Sequence, residues 1–131
     1  MQNIQKQMET FFKSSCYAYC IAWVYNNKDV YAMTQNLLEG YRRGYIEADG
    51  YVSKPHKFAS MCMGIPGYFK DVKKVYKDLD KGVKIIEYKL SKDAKASHFV
   101  VCENGKVVFD PAGDSETVRY GIPVSSRIFI A

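Results

Sequence analysis

The sequence predicts an α+β fold in which N-terminal helices pack on a C-terminal antiparallel sheet. Up to Leu79, apolar residues recur at helical spacing, whereas from Val83 onward short apolar runs alternate with turn residues. With 131 residues, 47% of them apolar and 25% charged, the chain is long enough for one ordinary core. We therefore expect a single domain over residues 1–131.

Helical spacing occurs in five segments of the first part. Ile4, Met8, Phe11 and Phe12 predict a helix over 3–12. Residues 16–25 are apolar nearly all round, which predicts a buried helix, and Ser14 and Ser15 precede it as candidate N-caps. The other three predicted helices run from Asp29 to near Gly44, from His56 to Met63, and through Val72, Val75, Tyr76 and Leu79.

Strands are predicted in the second part. The predicted strands are Val83 to Leu90, His98 to Cys102, Lys106 to Asp110 and Arg127 to Ala131. The second and third form a hairpin around Asn104-Gly105.

Two registers are open for this hairpin. A two-residue loop pairs Glu103 with Lys106, whereas a three-residue loop pairs Cys102 with Lys106 and His98 with Asp110. The three-residue loop collects the apolar side chains on one face, and register follows the face that is buried, so we expect that loop. It brings the Cβ atoms of His98 and Asp110 to ~5 Å.

Charge and hydropathy exclude some classes of protein. The net charge is +5, but acidic residues interrupt the lysines between Lys70 and Lys95, so a nucleic-acid partner is not favoured. No apolar run reaches membrane-spanning length, and the polar start, Met1 to Gln7, predicts no signal peptide. We expect a cytoplasmic protein that does not bind membranes.

The four cysteines suggest free thiols rather than a metal site. In a reducing compartment Cys16, Cys20, Cys62 and Cys102 stay reduced. Cys16 and Cys20 lie one helical turn apart, and no second closely spaced Cys/His pair follows. The sequence therefore predicts no structural zinc and carries no cofactor motif.

Three residues suggest nucleophilic chemistry. A thiol at a helix start lies in the positive potential of free N–H groups, which favours the thiolate. An imidazole can accept its proton, and a carboxylate behind the imidazole fixes its tautomer. Cys16, His98 and Asp110 are the candidates for nucleophile, base and orienting acid.

These residues lie in three patches that resemble the papain-like cysteine peptidase superfamily, most closely its compact bacterial C39-type peptidases. The patches are Ser14-Ser15-Cys16-Tyr17-Ala18, Ser97-His98-Phe99-Val100-Val101 and Asp110-Pro111. The resemblance implies a papain-like fold with the cysteine helix on an antiparallel sheet, and hydrolysis of an amide or thioester in a peptide or protein substrate. The chain also resembles small proteins carried by phages and plasmids.

The same family usually places a glutamine a few residues before the cysteine to stabilise the oxyanion. Residues 8–15 contain no glutamine. Gln7 is therefore the candidate oxyanion donor, although it falls on the first predicted helix.

Each candidate also has an ordinary structural interpretation. Cys16 can be a buried thiol, His98 a core or surface histidine, and Asp110 the start of a turn. The corresponding alternative for the whole chain is an inactive papain-like scaffold that binds a protein through its 11 tyrosines.

Overall fold

Helices come first and a five-stranded antiparallel sheet follows in the computed structural model, which describes residues 14–131. The helices are α1 (Cys16–Tyr25), α2 (Val30–Arg42), α3 (Pro55–Met63) and the short α4 (Glu116–Tyr120). The strands are β1 (Asp71–Val75), β2 (Val83–Lys89), β3 (His98–Glu103), β4 (Lys106–Phe109) and β5 (Ile122–Ile130). The α+β prediction is confirmed, while the helix predicted over 3–12 lies outside the described residues.

The apolar helix α1 occupies the centre of the core, as its sequence predicts. Ala18, Cys20, Ile21 and Ala22 have no exposed surface, because α1 packs against α2, α3 and β3. A helix without a polar face is stable only when it is covered on most sides.

The sheet has the strand order β1-β5-β2-β3-β4 and carries apolar residues on both faces. The helix-side face includes Ile85 and Val101, which belong to the main core with α1. The opposite face includes Ile86, Val100 and Cys102, which form a second, smaller core. β3 therefore alternates between the two cores, as a central strand with period two must.

One predicted helix is wrong, because Val72 and Val75 lie in strand β1. This strand pairs with β5 at the sheet edge, and Lys74 faces Arg127 across the pair. A spacing of three apolar positions over five residues fits a helical turn and an edge strand alike. The segment forms a strand rather than a helix because its backbone pairs with β5 over Asp71–Val75.

The preferred hairpin register is also wrong near the turn. The loop has two residues, Asn104 and Gly105, both with positive φ (51° and 84°), and Glu103 pairs with Lys106. Asn-Gly suits this mirror-image turn, which matches the strand twist. The bulge lies further along the hairpin, where the register shifts between Cys102 and Val101. As a result, Phe109 pairs with Val101.

Candidate active site

Cys16 is the first residue of α1 and is a buried residue at the border of a cleft. Ser15 is the N-cap, and the Tyr19 N–H donates to the Ser15 carbonyl at 3.0 Å, so the sulfur lies in the first helical turn. The positive end of the helix dipole is therefore close to it. The residue is 8% exposed and lines the cleft.

His98 and Asp110 form a direct contact of their side chains. Nε2 of His98 lies 2.7 Å from Oδ1 of Asp110, and the two side chains are 14% and 6% exposed. Since a carboxylate only accepts, Nε2 carries the hydrogen in the neutral ring and Nδ1 is left with its lone pair.

Asp110 is itself held by groups that follow it in the chain. The Ala112 N–H donates to Oδ1 at 2.9 Å, and the Ser115 hydroxyl donates to Oδ2 at 3.0 Å. Ser115 also caps α4. These bonds fix the carboxylate, which in turn fixes the plane of the imidazole.

His98 connects this acid to the thiol. Burial disfavours its charged form, but hydrogen bonds with Cys16 and Asp110 outweigh burial and raise the pKa of His98. With Nε2 on Asp110, Nδ1 is the nitrogen that remains for the sulfur. The imidazole is thus placed to accept a proton from Cys16.

The same hydrogen bonds act on the carboxylate in the opposite sense. Burial favours its neutral form, yet hydrogen bonds from His98 and the Ala112 N–H outweigh burial and lower the pKa of Asp110. Asp110 is therefore ionised at neutral pH and stabilises a charged imidazole beside it.

The structure brings three of the four sequence-predicted site residues together: Cys16, His98 and Asp110. The fourth, Gln7, lies outside the described residues. The His98–Asp110 contact forms at a register other than the preferred one, because Asp110 follows the bulged end of β4 rather than facing His98 across a regular ladder.

The other three thiols lie in apolar surroundings. Burial raises the pKa of Cys20 well above its usual value and raises that of Cys62 to about 12. Burial likewise raises the pKa of Cys102. All three match the structural role that is typical of buried cysteines.

The cleft beside Cys16 has a volume of about 580 Å³. It runs from the start of α1 across the helix-side face of the sheet to its β1 edge. Its lining includes Ser14, Cys16, Tyr17, Tyr51, Val52, Ser53, Pro55, Val72, Lys74, Ala96, Ser97, Phe99 and Arg127. An opening of this size suits a small ligand or a short peptide segment.

Tyr17, the residue after the thiol, forms part of the cleft wall. Its ring packs on Phe99 with centroids 4.7 Å apart, and burial raises the pKa of its phenol. The hydroxyl is buried and has no hydrogen-bond partner among residues 14–131.

A charged cluster under the cleft was not predicted from the sequence. Glu87 is 6% exposed and accepts from Ser125 at 2.7 Å, with Lys74 Nζ and Arg127 Nη2 each 3.5 Å away. One feature of the sequence could have indicated this cluster: the acid Glu87 follows Ile85-Ile86 in an apolar strand. A carboxylate that is buried in this way requires charged or hydrogen-bonding partners.

A thiol at a helix start that borders a cleft, with an imidazole–carboxylate pair that interacts with it, defines an α+β protein with a candidate nucleophilic site. The chain belongs to the family described as "Protein of unknown function, DUF261", whose model matches residues 1–131. Comparison with curated proteins and with solved structures gives no match.

Two further features of the described part of the chain bear on partners. No helix between residues 14 and 131 is long and apolar enough to cross a bilayer. In the same residues, no group of three or more His, Cys, Asp and Glu side chains is arranged to hold a metal ion.

Proposed function

We propose that this chain is a small papain-like thiol hydrolase that cleaves an amide bond, in a peptide or isopeptide, or a thioester. Cys16 is the nucleophile, His98 the base and Asp110 the group that orients the base. The observation that carries the proposal is the 2.7 Å contact of His98 Nε2 with Asp110 Oδ1, which leaves the other ring nitrogen for Cys16, the residue that helps to raise the pKa of His98.

The first half-reaction transfers the acyl group to sulfur. His98 Nδ1 takes the proton of the Cys16 thiol, and the thiolate attacks the carbonyl carbon. The bond from that carbon to the leaving nitrogen or sulfur breaks, and the imidazolium returns its proton to the leaving group. Asp110 remains ionised and stabilises the imidazolium in between.

The second half-reaction releases the acyl group to water. His98 takes a proton from a water molecule, whose oxygen attacks the thioester carbon. The carbon–sulfur bond breaks, the imidazolium returns its proton to the Cys16 sulfur, and the product leaves as a carboxylic acid that loses its proton to solvent. In both halves the positive end of α1 stabilises the charge on the carbonyl oxygen. Gln7 remains a predicted second donor.

The setting proposed for this chemistry is the reducing cytoplasm. All four cysteines are free, and a thiol nucleophile must remain reduced to act.

An alkylation experiment tests the proposal. The full chain is treated with iodoacetamide at pH 7, and the modification rate of each cysteine is read by mass spectrometry after digestion. We expect Cys16 to react at least tenfold faster than Cys20, Cys62 and Cys102. Equal or slower reaction of Cys16 contradicts an activated thiol.

The two histidines of the chain separate activation from simple access. His98→Gln keeps a polar side chain but removes the base, and we expect a fall of about 100-fold in the Cys16 rate, as for loss of a general base. His56→Gln, in α3, is the matched control and leaves the rate unchanged. A His98→Gln protein that reacts like wild type rejects the assigned base.

The second candidate function is an inactive scaffold that binds a protein partner. The observation in its favour is the exposure of several tyrosines, among them Tyr31 at 74% and Tyr120 at 68%. The His98–Asp110 pair, together with a cleft that Cys16 borders, favours the hydrolase instead.

A further inference from the structure

Two cationic side chains, Lys74 and Arg127, line the cleft that Cys16 borders. Lys74 on β1 and Arg127 on β5 face each other across the strand pair, so their side chains share the helix-side face. Both belong to the cleft that also contains Cys16.

The buried carboxylate of Glu87 forms ion pairs with both cations. Oε1 of Glu87 lies 3.5 Å from Lys74 Nζ and 3.5 Å from Arg127 Nη2, and it accepts the Ser125 hydroxyl. Burial opposes its ionisation, but the hydrogen bonds from Ser125 and Ser97, with the charges of Arg127 and Lys74, lower the pKa of Glu87. The acid is therefore charged and cannot move into the cleft without losing these partners.

The charges of this cluster do not cancel. Two cations share the single carboxylate of Glu87, which leaves one positive charge in surplus. None of the described residues that line the cleft is acidic. Val72 and Phe99 line the cleft together with the cations, and apolar groups of this kind strengthen the attraction of an anion.

Arg127 is held rigidly in place. Nη1 donates to the Ser125 hydroxyl at 2.8 Å, and the guanidinium lies over the Phe99 ring, 5.1 Å from its centroid. A fixed guanidinium binds a carboxylate with little loss of side-chain entropy. Lys74 is more accessible, because 41% of its side chain is exposed, although its ammonium also contacts Glu87 and the Tyr76 ring.

We propose that the Lys74–Arg127 pair binds a carboxylate of the substrate, carried by an acidic side chain or by the end of a peptide chain, while the adjacent bond faces Cys16. The peptide nature of this ligand rests on the proposed function. One surplus positive charge matches a monoanion, and the planar fork of Arg127 matches the geometry of a carboxylate.

The test measures binding rather than turnover, with the full-length Cys16→Ala protein. Fluorescein-labelled peptide pools of equal length are compared by fluorescence polarisation at low salt. The first pool carries Glu and an amidated end, the second Gln and an amidated end, and the third Gln and a free terminal carboxylate. We expect the first or third pool to bind about tenfold tighter than the second, and the pool that gains identifies the source of the carboxylate.

A charge reversal shows whether the preference belongs to this cleft. Lys74→Glu turns the surplus positive charge of the cluster into a surplus negative charge, and we expect it to abolish the preference. Lys73→Glu is the matched control, since it makes the same change of net charge on the other face of β1 and keeps the preference. Circular dichroism of both variants checks that they fold.

The outcomes separate this inference from the proposed function. Equal binding of all three pools, no binding of any pool, or the same loss with Lys73→Glu overturns the carboxylate site. A carboxylate preference in a protein whose Cys16 alkylates slowly keeps the site and rejects the hydrolase. Fast alkylation of Cys16 in a protein that shows no preference for a carboxylate keeps the hydrolase and rejects the carboxylate site.

Discussion

Two thiols of this protein lie beside openings on opposite faces of one sheet, and they differ in the group that meets the sulfur. Cys16 borders the larger cleft, and its interaction with His98 helps to raise the pKa of the imidazole. Cys102 borders a smaller pocket of about 150 Å³, and its interaction with Tyr88 opposes the rise in the thiol pKa that burial causes.

An opening beside a thiol is not enough to make the thiol a nucleophile. Burial raises the pKa of Cys102, and the hydrogen bond with Tyr88 offsets this only in part. A phenol remains protonated at neutral pH and cannot take the thiol proton, whereas a neutral imidazole can. Within residues 14–131, the Cys16 side of the sheet has an imidazole that interacts with the thiol and the larger of these two openings.

The largest expected effect comes from removing each thiol in turn. Cys16→Ala should lower hydrolysis of p-nitrophenyl acetate by at least ~10³-fold, because the covalent step is lost. Cys102→Ala should leave the rate within about twofold and cost about 1 kcal/mol of stability through the small cavity. Release of nitrophenolate measures the first effect and urea denaturation the second. Equal rate losses in the two variants would remove the distinction between the thiols.

A smaller effect is expected when the acid behind the imidazole is neutralised. Asp110→Asn should slow alkylation of Cys16 by about tenfold or more, because the imidazolium loses its partner charge. It should also lower the pKa of His98, since the contact with Asp110 helps to raise it. Proton NMR of the imidazole follows this pKa directly. An unchanged His98 titration in the variant is the result that the assignment does not allow.

The buried carboxylates near Cys16 should also make the free energy of unfolding depend on pH. The pKa values of Glu87 and Asp110 are lowered on folding from 4.5 and 3.8, so each carboxylate stabilises the fold above its unfolded value. This contribution to stability is lost as the pH falls through the lowered pKa values that the two carboxyls have in the folded protein. We expect a loss of about 1–2 kcal/mol per carboxylate from its hydrogen bonds, measured by urea denaturation from pH 6 to pH 2.

Two comparisons test the origin of this pH dependence of stability. Asp110→Asn should lose less stability than wild type over the same pH range, whereas equal losses would show that this carboxylate does not contribute. His98 acts in the opposite direction, because its raised pKa adds stability below pH 6.5 that disappears as the pH rises through the folded value.

The smallest effect is expected on the opposite face. Tyr88→Phe removes the hydrogen bond that lowers the pKa of Cys102, so that pKa should rise further and alkylation of Cys102 should slow by about threefold or less. The Cys16 rate should not change. The pH dependence of alkylation at each cysteine measures both, and an accelerated Cys102 would contradict its description as a buried thiol.

The sequence predicted local features of the site better than long-range ones. Cys16 at the start of an apolar helix and a hairpin that brings His98 near Asp110 follow from composition and turn residues. The detailed register was missed because the bulge that places Phe109 on the core face lies between Val101 and Cys102 rather than at the turn. Local turn rules allow both positions, and packing on α1 decides between them.

The charged cluster could not be predicted in the same way. Glu87 meets Ser125 and Arg127, which are 38 and 40 residues away, through pairing of β2 with β5. Lys74 joins them only because β1 is a strand and not the predicted helix. Contacts across this sheet depend on strand order, and no local pattern in the sequence determines that order.

The central claim is that Cys16 forms a covalent acyl intermediate, and mass spectrometry can test it directly. The protein is mixed with p-nitrophenyl acetate, quenched in acid within the first turnover, digested and mapped. We predict one acetyl group on Cys16 that accumulates in wild type, decays on longer incubation and is lost in His98→Gln. Acetylation confined to lysines or Cys102, or no acyl group on Cys16 at any time, would contradict the account.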